Sequence, residues 1–269
     1  APETHWPKPL LYQPYIQSSC GKCHLTIFDE MEKFEETKVF QHGHEIFSRE
    51  GCLGCHKARG VGGIIGPDLT EQGEKTRHEY NFQNVTGEQS VSNWLKEHFM
   101  DPEMVSPGSQ MLKIDIPEEE LEALATFVMG LAKPDMPVDF FSVEMLNELK
   151  GIRGMLKGSE VYSYTCSSCH GKEGSGKDYE NYETGVPAIM NIDFLRVASN
   201  DFIRFTLMKG RSQRQMAVWS PEMSGFFDEE ITHVIDSLNQ SYKNTESESP
   251  VIYRSGNIDK GNLIYTNNC

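Results

Sequence analysis

One five-residue pattern, occurring three times, constrains this chain more than anything else in it. It reads Cys20-Gly21-Lys22-Cys23-His24, Cys52-Leu53-Gly54-Cys55-His56 and Cys166-Ser167-Ser168-Cys169-His170. Each is C-x-x-C-H, the spacing at which haem c is attached. Two thiols about one helical turn apart reach the two vinyl groups of one porphyrin. The histidine that follows lies under the iron and binds it. Zinc would want a second Cys or His pair at finger spacing near each first pair, and the sequence offers none. Six of the seven cysteines are thereby used, leaving Cys269, the last residue.

A length of 269 residues suggests about two domains. No stretch approaches the ~20 apolar residues that span a bilayer. The net charge of -15 disfavours nucleic acid and anionic membranes as partners. It favours a basic redox partner, steered by an attraction that salt weakens. The chain opens Ala1-Pro2-Glu3, which suits a secreted chain after signal removal, so a periplasmic or otherwise extracytoplasmic location is expected.

Read in order, residues 1–36 form a proline-rich extension that carries the first motif, with Pro2, Pro7, Pro9 and Pro14 opposing a long helix. A first unit occupies 37–132. Gly43 and Phe47 precede its motif on one helix face, where a glycine lets another helix cross closely. Gly66-Pro67 marks a turn. Leu121, Leu124, Val128 and Leu131 form the apolar stripe of a closing helix, with Pro117 suited to its first position. Residues 133–156 read as a connector with a helix from Ser142 to Leu156. A second unit, 157–240, repeats the plan with Gly158, Tyr162, Val186-Pro187 and a closing helix capped by Asp228, its stripe being Ile231, Val234, Ile235 and Leu238. Residues 241–269 read as a polar linker and then a new start. Gly261, Tyr265 and Cys269 reproduce the spacing of Gly158, Tyr162 and Cys166, so Cys269 is expected to open a further, truncated haem site.

The Gly/aromatic first helix, C-x-x-C-H, proline turn, distal methionine loop and closing helix make both units resemble class I cytochrome c domains. The run from Gly66-Pro67-Asp68-Leu69 to Ser106-Pro107-Gly108-Ser109-Gln110-Met111 is also similar to the monohaem subunits of cbb-type oxidases. The expected fold class is therefore all-α, with tandem class I cytochrome c domains behind an irregular haem-binding extension. The resemblance implies His56 and His170 as proximal ligands, and Met111 and Met216 as distal ones. It places Pro67 and Pro187 where a backbone carbonyl accepts a bond from the proximal imidazole. These methionines precede Leu112 and Ala217 where the family usually has proline, so Met104 and Met223 are rivals. His98, beside Trp94 and Phe99, is read as structural.

The first motif has no room for a methionine loop before the next unit begins. Its haem is expected to be bis-histidine, with His24 proximal and His42 distal, ahead of His44, His5, His78 and Met31. Six-coordinate iron passes electrons and resists small-molecule chemistry. The expected function is thus a multihaem electron carrier in a respiratory or related chain, with redox proteins or a membrane-bound complex as partners. Two other readings stay open: a haem enzyme acting on a small molecule at the first haem, and a subunit of a cytochrome filament.

Overall fold

The computed structural model describes residues 11–22, 35–133, 156–178 and 185–245. The connector from 134 to 155, where a helix was expected, lies outside them, as does Cys269. Their regular structure is helical except for one two-stranded antiparallel hairpin, β1 Lys57–Ala58 and β2 Val61–Gly62.

The first unit is built on a helix crossing. Helix α2, Lys38–Arg49, buries Phe40, Gly43, Ile46 and Phe47. It packs on α5, Glu118–Val128, whose three leading glutamates suit the positive end of the helix dipole. Gly43 sits at the crossing point. A β-carbon there would overlap the Ala123 carbonyl and come within 2.8 Å of Phe127 Cβ, so no other residue lets the backbones approach this closely. Phe127 centres the packing, its ring 5.2 Å from Phe40 and 5.1 Å from Phe47. Arg49 clamps the far end by a two-pronged bond to Glu120, which holds that carboxyl below its ordinary range. Between these helices lie α3, Val91–Met100, capped by the Ser90 hydroxyl, and α4, Pro102–Val105, capped by Asp101. Pro117 is the cap of α5 rather than its first residue.

The second unit repeats the crossing. Helix α6, Gly158–Val161, runs into a π-turn, Tyr162–Cys166, and then α7, Ser167–His170. Such turns are rare and gather at functional sites. A β-carbon on Gly158 would overlap the His233 carbonyl in the closing helix α11, Asp228–Thr245. That helix contributes Ile231, Val234, Ile235 and Leu238 to the core. Glu230, fully buried, ties the unit's start to its end, accepting from the Leu156 N–H at 2.9 Å and the Phe227 N–H at 2.8 Å. Helices α8, Ile192–Val197, α9, Asn200–Lys209, and α10, Pro221–Ser224, complete the unit. The polar stretch expected as a linker from residue 241 is helical through Thr245, because no glycine or proline interrupts it.

The units have two cores that touch. Val61, from the first unit's hairpin, belongs to the second core, and Tyr164 packs against both. Lys57 donates to the Met223 carbonyl at 2.7 Å. The extension docks on the first unit through α1, Ser18–Gly21. Ser18 Oγ donates to the Thr126 carbonyl at 2.6 Å, and the Phe40 N–H donates to Gln17 Oε1 at 3.0 Å.

Candidate functional site

Two sites recur with the same chemistry. In the first unit the turn Cys52–Gly54 delivers His56, entered through Gly51 at φ 67°. The backbone then wraps the motif: the Gly63 N–H donates to the Leu53 carbonyl and the Gly66 N–H to the Cys55 carbonyl, each at 2.8 Å. This wrapping places the Pro67 carbonyl 2.8 Å from His56 Nδ1. A carbonyl only accepts, so Nδ1 carries the proton and the Nε2 lone pair is free for a metal. Gly66 is required here, since a β-carbon would come within 2.6 Å of the imidazole Cε1. In the second unit His170 Nδ1 lies 2.9 Å from the Pro187 carbonyl. There a bridge between Lys177 and Val186 returns the chain to the motif, and the Gly176 N–H donates to the His170 carbonyl at 3.0 Å. Burial pushes both imidazoles below the ordinary histidine value, against the opposing pull of the carbonyl bonds. Neutral imidazole is the metal-binding form.

The thiols are equally placed. Cys52, Cys55, Cys166 and Cys169 are free of disulfides. Burial pushes the Cys52 thiol up to about 12 and Cys166 up to about 11. The mutual interaction of Cys55 and Cys169, together with burial of Cys55, raises the Cys55 thiol above its ordinary value and lowers that of Cys169.

Met111 is half-buried and packs against the core that carries Cys52, whereas its rival Met104 is 43% exposed. Met216 packs against the second core and is held in a bridge with Arg211, its N–H donating to the Arg211 carbonyl at 3.2 Å. Its rival Met223 is 39% exposed. Met190, not weighed from the sequence, also packs on the second core.

For the first motif the described residues reach Gly21 and Lys22. The Cys20 side chain, Cys23 and His24 lie outside them, as do His5 and Met31. Arg59, whose burial lowers its pKa to about 10, donates to the Gly21 carbonyl and, at 3.5 Å, to that of Gly130. The motif's start is thus pinned at the junction of α2 and α5. His42 meets Glu45 at 3.3 Å and Glu120 at 3.9 Å. His44 lies 5.2 Å from the Phe127 ring, and His78 is in an exposed turn.

His98, read as structural from the sequence, packs beside Trp94 as that reading expects. Its ring stacks on Trp94 at 4.5 Å, and its Nδ1 is buried without a hydrogen-bond partner. Burial first, and the charge of nearby His56 second, lower its pKa to about 4. An orphaned buried donor costs about 1–3 kcal/mol. Beside a candidate iron ligand, the carboxylates of a bound haem would satisfy it. Paired thiols, a free Nε2 and this orphan together fit haem c.

Comparison with known proteins agrees. Residues 40–132 match the family model described as cytochrome c. Residues 154–236 match that of cytochrome c oxidase, cbb3-type, subunit III. The chain is a c-type cytochrome. Its tandem cytochrome c domains bind haem c and carry electrons. Cytochrome c oxidase subunit 2 of Alkalihalophilus pseudofirmus is 30% identical over 103 residues, covering 38% of this cytochrome and 28% of that relative. The cytochrome thus matches little more than a quarter of that protein's length. No solved structure matches it significantly. Among the described residues, no helix is long and apolar enough to cross a membrane.

Proposed function

We propose that this cytochrome is a multihaem electron carrier of a respiratory or related chain, working outside the cytoplasm. Cys52 and Cys55 hold one haem c and Cys166 and Cys169 a second, with His56 and His170 proximal and Met111 and Met216 distal. Cys20, Cys23 and His24 hold a third, with His42 as its distal partner, and Cys269 opens a fourth. The haem supplies an iron that cycles between ferrous and ferric. The protein fixes ring tautomers, excludes water and presents an acidic surface to a basic redox partner.

The matched bonds from His56 Nδ1 to the Pro67 carbonyl and from His170 Nδ1 to the Pro187 carbonyl carry the reading. A hydrogen bond of this kind orients the ring and raises its basicity, which a purely structural histidine does not need. The relative's name, a cytochrome c oxidase subunit, supports the respiratory setting. Mass spectrometry of the acid-acetone-treated chain tests the reading. Haem retained at all three complete motifs is expected, and loss of haem from the Cys52 or Cys166 site would overturn it.

A further inference from the structure

The two described motifs are not merely on neighbouring units; they are packed against each other. The turn that carries Cys52 and Cys55 lies on the π-turn and helix that carry Cys166 and Cys169. Glycines make this possible. A β-carbon on Gly54 would overlap the Thr165 carbonyl and Ser168 Oγ. One on Gly51 would meet the Ser168 nitrogen at 2.8 Å and Ser167 Oγ at 2.9 Å. On the other side only Ser167 and Ser168 separate the cysteines, and their hydroxyls turn inward, Ser167 Oγ donating to the Ser163 carbonyl at 2.7 Å and Ser168 Oγ to the Thr165 carbonyl at 3.1 Å. With nothing bulky between them, Gly54 meets Ser168 and the Thr165 carbonyl directly, and the next residue after each of Gly54 and Ser168 is a motif cysteine, Cys55 and Cys169.

The contact is fixed from several sides. Tyr164 bridges to His44 with ring centroids 6.4 Å apart. Lys172 reaches Glu50 at 3.6 Å. A β-carbon on Gly225 would overlap the Gly60 carbonyl, so the hairpin and the second unit touch through backbone. A short interface of rigid backbone resists shear better than one of long side chains.

We propose that this glycine–serine interface is a positioning device that abuts the haem attachment points of the two units, making their haems one electronically coupled pair. The proposal rests on the electron-carrier reading and adds a partner for each haem: the other unit's haem, rather than an external protein. Each of these turns would carry the attachment point of one haem, so the contact between them would hold the two haems close to each other. Bound haems would supply one-electron chemistry here, the oxidation of one iron balancing the reduction of the other. No proton, bond or further reactant is involved. Gly54 and Gly51 are positioning residues and touch neither iron.

Circular dichroism in the Soret region of the full chain tests the proposal, because two strongly absorbing chromophores held close give a couplet of opposite-signed bands. A couplet is expected in the parent. It is expected to survive the double substitution Cys20→Ala with Cys23→Ala and to be lost with Cys52→Ala and Cys55→Ala, or with Cys166→Ala and Cys169→Ala. Mass spectrometry confirms which haems remain, and far-ultraviolet dichroism confirms the fold. Gly54→Val should shrink the couplet while keeping every haem. A parent that carries both haems but gives only the sum of single-haem spectra would overturn the pairing and leave the carrier reading intact. So would a couplet that persists after the Cys52 or Cys166 haem is removed. A parent without covalent haem would instead overturn the carrier reading itself.

Discussion

Replacing Gly43 or Gly158 by alanine tests whether each unit depends on its helix crossing. At Gly43 the new methyl would overlap the Ala123 carbonyl oxygen and stand 2.7 Å from the carbonyl carbon; at Gly158 it would overlap the His233 carbonyl and stand 2.9 Å from the Val234 nitrogen. All of these are helix backbone, so no side chain can swing aside. The closing helix must move outward, as in overpacked cores, at a cost of about 1–3 kcal/mol. Against this, alanine gains about 1 kcal/mol over glycine inside a helix. Gly43 lies mid-helix in Lys38–Arg49 and collects that gain, whereas Gly158 is the first residue of its helix and collects little. The expected net losses are therefore about 0–2 kcal/mol for Gly43→Ala and about 1–3 kcal/mol for Gly158→Ala. With a urea slope of about 1–3 kcal/mol per molar, each unfolding midpoint falls by up to roughly 1 M. Urea titration followed by the thioether-to-iron absorption band reads this, since helix displacement loosens the distal side. A variant that unfolds above the parent's midpoint would refute the crossing geometry, as would Gly43→Ala proving the costlier change.

Met111→His and Met216→His should each lower the potential of one haem and remove its thioether band; if Met216→His leaves the band intact, Met190 becomes the ligand to test. Arg59→Ala removes bonds to the Gly21 and Gly130 carbonyls and should release the extension at a cost of about 1.5–3 kcal/mol. Limited proteolysis before residue 35 should then quicken, with the spectra of the other two haems unchanged. His98→Phe keeps a ring to stack on Trp94 but removes the orphaned Nδ1. Potentiometry should show the first unit's haem shifted to lower potential, with the second unit's haem unmoved.

Each unit's interior was legible because it is periodic. Gly43 with Phe47 and Gly158 with Tyr162 announce a close crossing, and Leu121, Leu124 and Val128 announce the face that meets it. The C-x-x-C-H motifs and the proline turns located the sites for a similar reason: their chemistry needs fixed local spacing. What the sequence left unreadable acts over long range. Arg59 matters through a carbonyl 38 residues earlier in the chain. His98 lies on an ordinary amphipathic helix, and only burial distinguishes its nitrogen from a solvated one. The helix through Thr245 was missed because polar composition was taken for a linker, when absence of glycine and proline mattered more.

Contact between the units follows a different rule, and that rule explains why a repeat can look symmetrical in sequence and still not be two independent beads. A unit's core is written in large residues at regular intervals. Its contact with a neighbour is written in what is missing: Gly51 and Gly54 on one turn, Ser167 and Ser168 on the other. Neither pair lies on a stripe: Gly54, Ser167 and Ser168 are x positions of a motif and Gly51 stands just before one, and each alone reads as a tolerant position. Their meaning appears only when the two turns meet, because backbone contact needs small residues on both sides at once. Bulk at Gly54 would meet the Thr165 carbonyl and Ser168 Oγ and push the two turns apart. In this chain the contact between the two motif turns runs through Gly51, Gly54, Ser167 and Ser168, residues that the core stripes of neither unit contain.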